Sequence, residues 1–275
     1  MPDKKSSSFL SKKIVDEIRV CVHQKLTEYN KLNDVLGEYI FYILERNSRV
    51  LYYPLNDDDV WGFLENKNGH TFICINTSIP YDKQIFVAAH ELYHLWYNHG
   101  EELILSSCLE ETDDVTITQN ELKANRFAAE FLVPEILLLQ EMDTYSLTSG
   151  NIGIKEVLKL SHIFLVPYKT MVKRLFEIGK LGKKQFYFFM EISEDQITIW
   201  RRRLGLELSE RENKISLDNL LDKAMDAFER KLITREKLEY LLSFTRTTPE
   251  QLGILPDKEY VPPTSEVLQA ILEEE

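Results

Sequence analysis

The spacing of apolar residues changes character three times along the chain. Leu10, Ile14, Ile18, Val22 and Leu26 recur every four residues, which predicts an amphipathic helix over 10–30. A second helix is expected over 34–45. The period then shortens. Val50–Leu55 and Val60–Leu64 are aromatic and β-branched runs separated by Asn56-Asp57-Asp58-Asp59, which reads as two strands and a turn. Lys67-Asn68-Gly69 marks another turn. Thr71–Asn76 sets Phe72 and Cys74 against Ile73 and Ile75 as a third strand, so a small antiparallel sheet is expected. Helical spacing returns over 83–98, with Gly100 as a stop. Residues 101–117 are acidic and read as irregular. A helix over 119–132 follows, closed by Pro134, which also opens the next helix at 134–142.

Ser149-Gly150-Asn151 and Gly153 resemble a linker. Beyond it the pattern predicts short helices at 154–161, 167–178, 195–204, 216–230 and 234–244, while Phe186–Met190 fits a strand or a buried helix equally. The last twenty residues hold Pro256, Pro262 and Pro263 before a short acidic helix. The expected organisation is therefore an α+β region over 1–148, a helix-turn-helix-like segment over 149–182 and a mainly helical region over 183–275 that recognises substrate or regulates.

Composition narrows the class. At 275 residues with 44% hydrophobic and 28% charged content, the chain can bury a sizeable core. A formal net charge of -12 argues against nonspecific attraction of the whole chain to nucleic acid or anionic membrane. Residues 165–204 carry nine Lys/Arg against four Asp/Glu, so a local basic patch survives that argument. Cys21, Cys74 and Cys108 are odd in number and widely spaced, with no CxxC, which predicts free thiols rather than a disulfide framework or a cysteine zinc site. No apolar run follows the basic N-terminus and none is long enough to span a bilayer, so a cytoplasmic protein without a membrane partner is expected.

One short motif carries chemistry. His90-Glu91-Leu92-Tyr93-His94 is an HExxH sequence inside a predicted helix. Residues four apart share a helix face, so both imidazoles can reach one metal ion. Glu91 lies about 100° further round, where it can accept a proton from an activated water instead of ligating. The helix is apolar nearly all round, so these groups are expected to be buried, and buried polar groups need a shared partner. A third ligand is required for a catalytic site. Glu121, with Asn125 four residues on, resembles the ExxxD pattern of gluzincin metallopeptidases, where the glutamate binds zinc and the later residue hydrogen-bonds a ligand histidine. Thr118-x-x-Glu121 is equally an N-terminal capping box.

The chain resembles the ImmA/IrrE metallopeptidases from about Arg49 to Pro134. The resemblance rests on Gly62-Phe63 at a strand pair, on Ile73-Cys74-Ile75-Asn76, on Phe86-x-x-Ala89-His90-Glu91-Leu92-x-His94, and on Glu121 to Pro134, which follows E-x-x-A-N-x-F-A-A-x-x-L-x-P. Tyr93 stands where the family usually has Gly, and Val133 where it usually has Met. The resemblance implies a zincin-like core and one zinc ion per chain held by His90, His94 and Glu121, with Glu91 as general base and Asn125 orienting a histidine. It also implies a helix-turn-helix transcriptional repressor as substrate, whose cleavage derepresses mobile-element or stress-response genes. A His/His/Glu set also suits manganese or iron. His99, Tyr93 and Arg126 are candidates for contacting substrate or an oxyanion, a solvated histidine at a helix end being the alternative for His99.

Two rival readings stay open. The chain can be a non-catalytic regulator that holds zinc structurally and binds a repressor. It can also be a DNA-binding regulator with a vestigial metal site, using Lys169, Lys173 and Arg174 of the helix-turn-helix-like segment on phosphates. The acidic net charge favours docking over DNA for that segment.

Overall fold

Seventeen residues from Lys12 to Glu28 form the first helix, α1, capped by the Ser11 hydroxyl, which accepts from the Ile14 N–H. It buries Ile18, Val22 and Leu26, the four-residue stripe seen in the sequence. The computed structural model describes residues 10–55, 57, 59–67, 70–97, 103–107, 118–208, 216–217, 220–245 and 247–254. Residues 68–69 of the predicted turn and the acidic C-terminal helix fall outside those residues. The remaining elements of the first unit, residues 1–218, are α2 (Tyr39–Asn47), β1 (Arg49–Tyr53), β2 (Val60–Lys67), β3 (His70–Asn76), α3 (Tyr81–Tyr97), β4 (Leu103–Ser107), α4 (Gln119–Leu132), α5 (Glu135–Thr144), α6 (Ile154–Phe164), α7 (Tyr168–Glu177), α8 (Lys183–Met190), α9 (Glu194–Leu204) and β5 (Ser216–Leu217). The fold is α+β, as expected.

The sheet differs from expectation. Its strand order is β4-β2-β3-β1-β5, and β1 runs parallel to β3 with Arg49 opposite Phe72 and Tyr53 opposite Asn76. It is mixed, not antiparallel: β1 and β2 do not pair, because β3 lies between them. Two features account for this. Ile73, Cys74 and Ile75 are buried on both faces, and a strand apolar on both faces belongs in the centre of a sheet. Asn76 then ties down the β1–β2 crossover: its Oδ1 accepts from the Leu55 and Ser78 N–H groups, and its Nδ2 donates to the Asp57 and Val60 carbonyls, all at 2.8–3.0 Å. The asparagine is wholly buried and fully bonded.

Further corrections concern the edges. Within the stretch read as irregular, Leu103–Ser107 forms β4, antiparallel to β2 with a bulge between Val60 and Gly62. The helix expected from 216 begins at Leu220, and Ser216–Leu217 instead pair with β1. Phe186–Met190 is helical, inside α8.

One core runs from Ile18 to Ile197 and includes the α6 and α7 residues Val157, Leu160, Phe164, Met171, Val172 and Leu175. Leu165, in the left-handed region at φ 51°, turns the chain from α6 to α7. The second unit, residues 219–275, contains α10 (Leu220–Glu229) and α11 (Arg235–Ser243) around Ala224, Leu238 and Leu242. No described helix is long and apolar enough to cross a membrane.

Candidate metal centre

Helix α3 is held at its start by ion pairs to α9: Asp82 meets Arg201 at 2.7 Å and Lys83 meets Glu194 at 3.7 Å. Its middle is enclosed on all sides, so His90, Glu91 and His94 are each at most 1% exposed. Helix α4 packs along it. The Thr118 hydroxyl caps α4 by accepting from the Glu121 N–H at 3.2 Å, while the Glu121 carboxylate turns towards the two histidines. Only the hydroxyl half of the expected capping box forms, because the Glu121 side chain is taken up by the histidines.

The three groups converge. His90 Nε2 lies 3.1 Å from Glu121 Oε2, His94 Nε2 lies 3.1 Å from Glu121 Oε1, and the two Nε2 atoms are 3.1 Å apart. One donor atom from each of the three residues falls within 4.8 Å of the others. Ligands at about 2.0–2.1 Å from a tetrahedral zinc would be about 3.3 Å apart, so the spacing fits an ion of that size. The protonation pattern points the same way. Asn125 Oδ1 lies 2.8 Å from His90 Nδ1 and only accepts, so Nδ1 carries the hydrogen. In the neutral ring Nε2 is then a lone pair aimed at a carboxylate. Only a cation, proton or metal, reconciles that arrangement.

Burial pushes the Glu121 carboxyl up, but its hydrogen bonds to His90 and His94 and their charges outweigh this and bring it down to about 2. Glu91 lies towards the sheet. Burial, and secondarily the Glu91 carboxylate, push the Cys74 thiol of β3 up to about 12. A Cβ on Gly62 of β2 would stand 3.5 Å from Glu91 Oε1. The residues quoted from β2 and β3 thus form the wall behind Glu91.

The other candidates sit as follows. The Tyr93 ring is edge-on to His94 at 5.8 Å and packs on Tyr97 and Phe127. Arg126 is bound into a set of ion pairs: it meets Glu130 of its own helix and Glu177 of α7 at 2.5 Å. Arg174, wholly buried, joins the same set through Glu177 at 2.6 Å and donates from Nε and Nη2 to the Val133 carbonyl at the end of α4. Arg19 of α1 adds a contact to Glu130 at 3.3 Å. His99 lies outside the described residues. Sequence reasoning missed the wall formed by Gly62 and Cys74, although a glycine inside an apolar strand is itself a sign of close approach. It also missed the clamp of Arg201 on Asp82, which no local pattern announces.

A family model described as the IrrE N-terminal-like domain, Peptidase_M78, matches residues 19–176, more than half of the chain and the whole of the site. No curated protein matches the chain.

Proposed function

Because the chain belongs to the IrrE N-terminal-like peptidase family, we propose that it is a zinc-dependent endopeptidase in which His90, His94 and Glu121 hold the ion and Glu91 is the general base. The observation that carries this reading is the convergence of those three donors with a buried carboxylate on the same helix turn. Bound there, such an ion supplies polarisation of a carbonyl and acidification of water. Glu91 takes the proton from the attacking water and delivers it to the departing amine nitrogen. Asn125 fixes the His90 tautomer and ring plane. Tyr93 braces the His94 ring, and Arg126 serves the scaffold through Glu130 and Glu177 rather than touching substrate.

The substrate we assign is a helix-turn-helix transcriptional repressor in the cytoplasm, following the resemblance to the ImmA/IrrE peptidases. Two findings favour a packing role over DNA contact for α6–α7. Arg174, one of its three candidate phosphate contacts, is wholly buried, and Tyr168, Met171, Val172 and Leu175 of α7 face the core. The segment 149–182 then completes the peptidase core, and residues 183–275 serve recognition or regulation.

Elemental analysis of wild type and Glu91→Gln, with cleavage assays on a helix-turn-helix repressor, tests the reading. One zinc per chain in both and cleavage by wild type alone is expected. Loss of zinc from Glu91→Gln would remove Glu91 from its assigned role, and a wild type that binds no metal would overturn the site.

A further inference from the structure

Helix α8 reads Lys-Lys-Gln-Phe-Tyr-Phe-Phe-Met and buries only Phe189 fully. Its neighbours Tyr187 and Phe188 are 63% and 59% exposed, and Ile199 of α9 is 47% exposed. Side chains of this size left together in water mark a contact surface more often than chance decoration. Phe188 also lines a concavity of about 280 Å³, together with Ile154, Glu191, Ile192, Gln196 and Trp200. That volume is below the range of cofactor pockets, roughly 300–1,000 Å³, and suits one long side chain.

The lining states which side chain. Ile154, Ile192, Phe188 and Trp200 offer apolar and aromatic walls, and Glu191 is the sole charged member. Among the described residues Glu191 has no ion-pair partner. It stands at the C-terminal cap of α8, where the helix carbonyls add negative field. Gln196 is already engaged, its Oε1 accepting from the Ser193 N–H at 3.3 Å. An aliphatic stem against apolar walls, with a cationic head between a carboxylate and aromatic faces, describes a bound arginine or lysine. Arg203, whose guanidinium lies 5.7 Å from the Trp200 ring centroid, opposes a second cation, so Glu191 decides the balance.

We propose that this concavity is a docking pocket for an arginine or lysine side chain of the protein substrate, flanked by apolar residues that meet Tyr187, Phe188 and Ile199. The proposal rests on the peptidase reading for the partner's identity. The pocket itself is independent of it. DNA-binding proteins carry such basic residues on their surfaces.

The test is an NMR titration of the ¹⁵N-labelled full-length chain with acetyl-Leu-Arg-Leu-amide, and with the uncharged analogue in which citrulline replaces arginine. The three tryptophan indole signals, from Trp61, Trp96 and Trp200, are separate reporters, with Trp200→Phe giving the assignment. The Trp200 signal should shift with saturation at about millimolar peptide, as befits a single-residue anchor. Citrulline peptide should bind about two- to fivefold more weakly, and Glu191→Gln should lose the same factor, as befits an ion pair to an exposed carboxylate. Absence of a saturable Trp200 shift, equal response to both peptides, or an undiminished response in Glu191→Gln would each overturn the proposal. The readout needs neither metal nor hydrolysis, so it fails or succeeds separately from the peptidase reading.

Discussion

Replacing Gly62 by alanine puts one methyl group into the narrowest gap behind the site. The new Cβ would stand 2.8 Å from the Cys74 carbonyl oxygen and 3.0 Å from Val87 Cγ2. Carbon–oxygen contacts settle at about 3.3–3.6 Å and carbon–carbon contacts at about 3.5–4.0 Å, so both overlap by about 0.5 Å. Neither neighbour can withdraw easily: the oxygen belongs to central strand β3, and Val87 is buried on α3. Overpacking of this kind costs about 1–3 kcal/mol, offset by about 0.4–1 kcal/mol from the stiffer unfolded chain. A net loss of about 1–2 kcal/mol is expected, or about 2–8 °C in Tm for a unit of this size. Tryptophan fluorescence during urea unfolding is the assay, because Trp61, Trp96 and Trp200 all lie in the first unit and report it alone. Gly150→Ala is the control, since a Cβ there meets nothing within 4 Å. The strain also reaches Glu91, 3.5 Å from the new atom, so hydrolysis should fall further than zinc content. A Gly62→Ala protein as stable as the control would refute the close approach and with it the account of how Glu91 is held.

Three other substitutions probe the same construction. Asn125→Ala removes the acceptor for His90 Nδ1 and should weaken zinc binding by about 10–100-fold in a chelator competition, with Asn125→Asp retaining it. Arg174→Ala leaves the Val133 carbonyl without its two donors, while exposed Glu177 keeps Arg126, and should cost about 1–3 kcal/mol in urea unfolding, the penalty of one unsatisfied buried acceptor; lysine, lacking the planar fork, should rescue only part. Glu121 gives a pH prediction for the metal-free protein. Its carboxyl is depressed from an ordinary 4.5 to about 2. A depressed carboxyl contributes its full stability above the unfolded value and loses it as pH falls through the folded one. Wild type should therefore lose more stability than Glu121→Gln between about pH 4.5 and 2, and parallel acid titrations of the two would sink the claim.

Local chemistry was legible along the chain wherever the chain itself did the positioning. His90, Glu91 and His94 lie within one helical turn, so their spacing alone sets their faces, and the Thr118 cap acts within three residues. The periods of α1, α3 and α4 declared their buried sides for the same reason. Tertiary structure decided whatever depends on which elements become neighbours. Glu121 reaches the histidines only because α4 packs along α3. The insertion of β3 beside β1 turned a predicted hairpin into a parallel pair, and its agent, Asn76, bonds to residues 16 to 21 positions away. Arg174 read as a candidate phosphate contact, yet it is wholly buried, because the end of α4 and the Glu177 carboxylate supply partners that outbid water. A helical period reports which residues share a face, and only packing settles what that face meets.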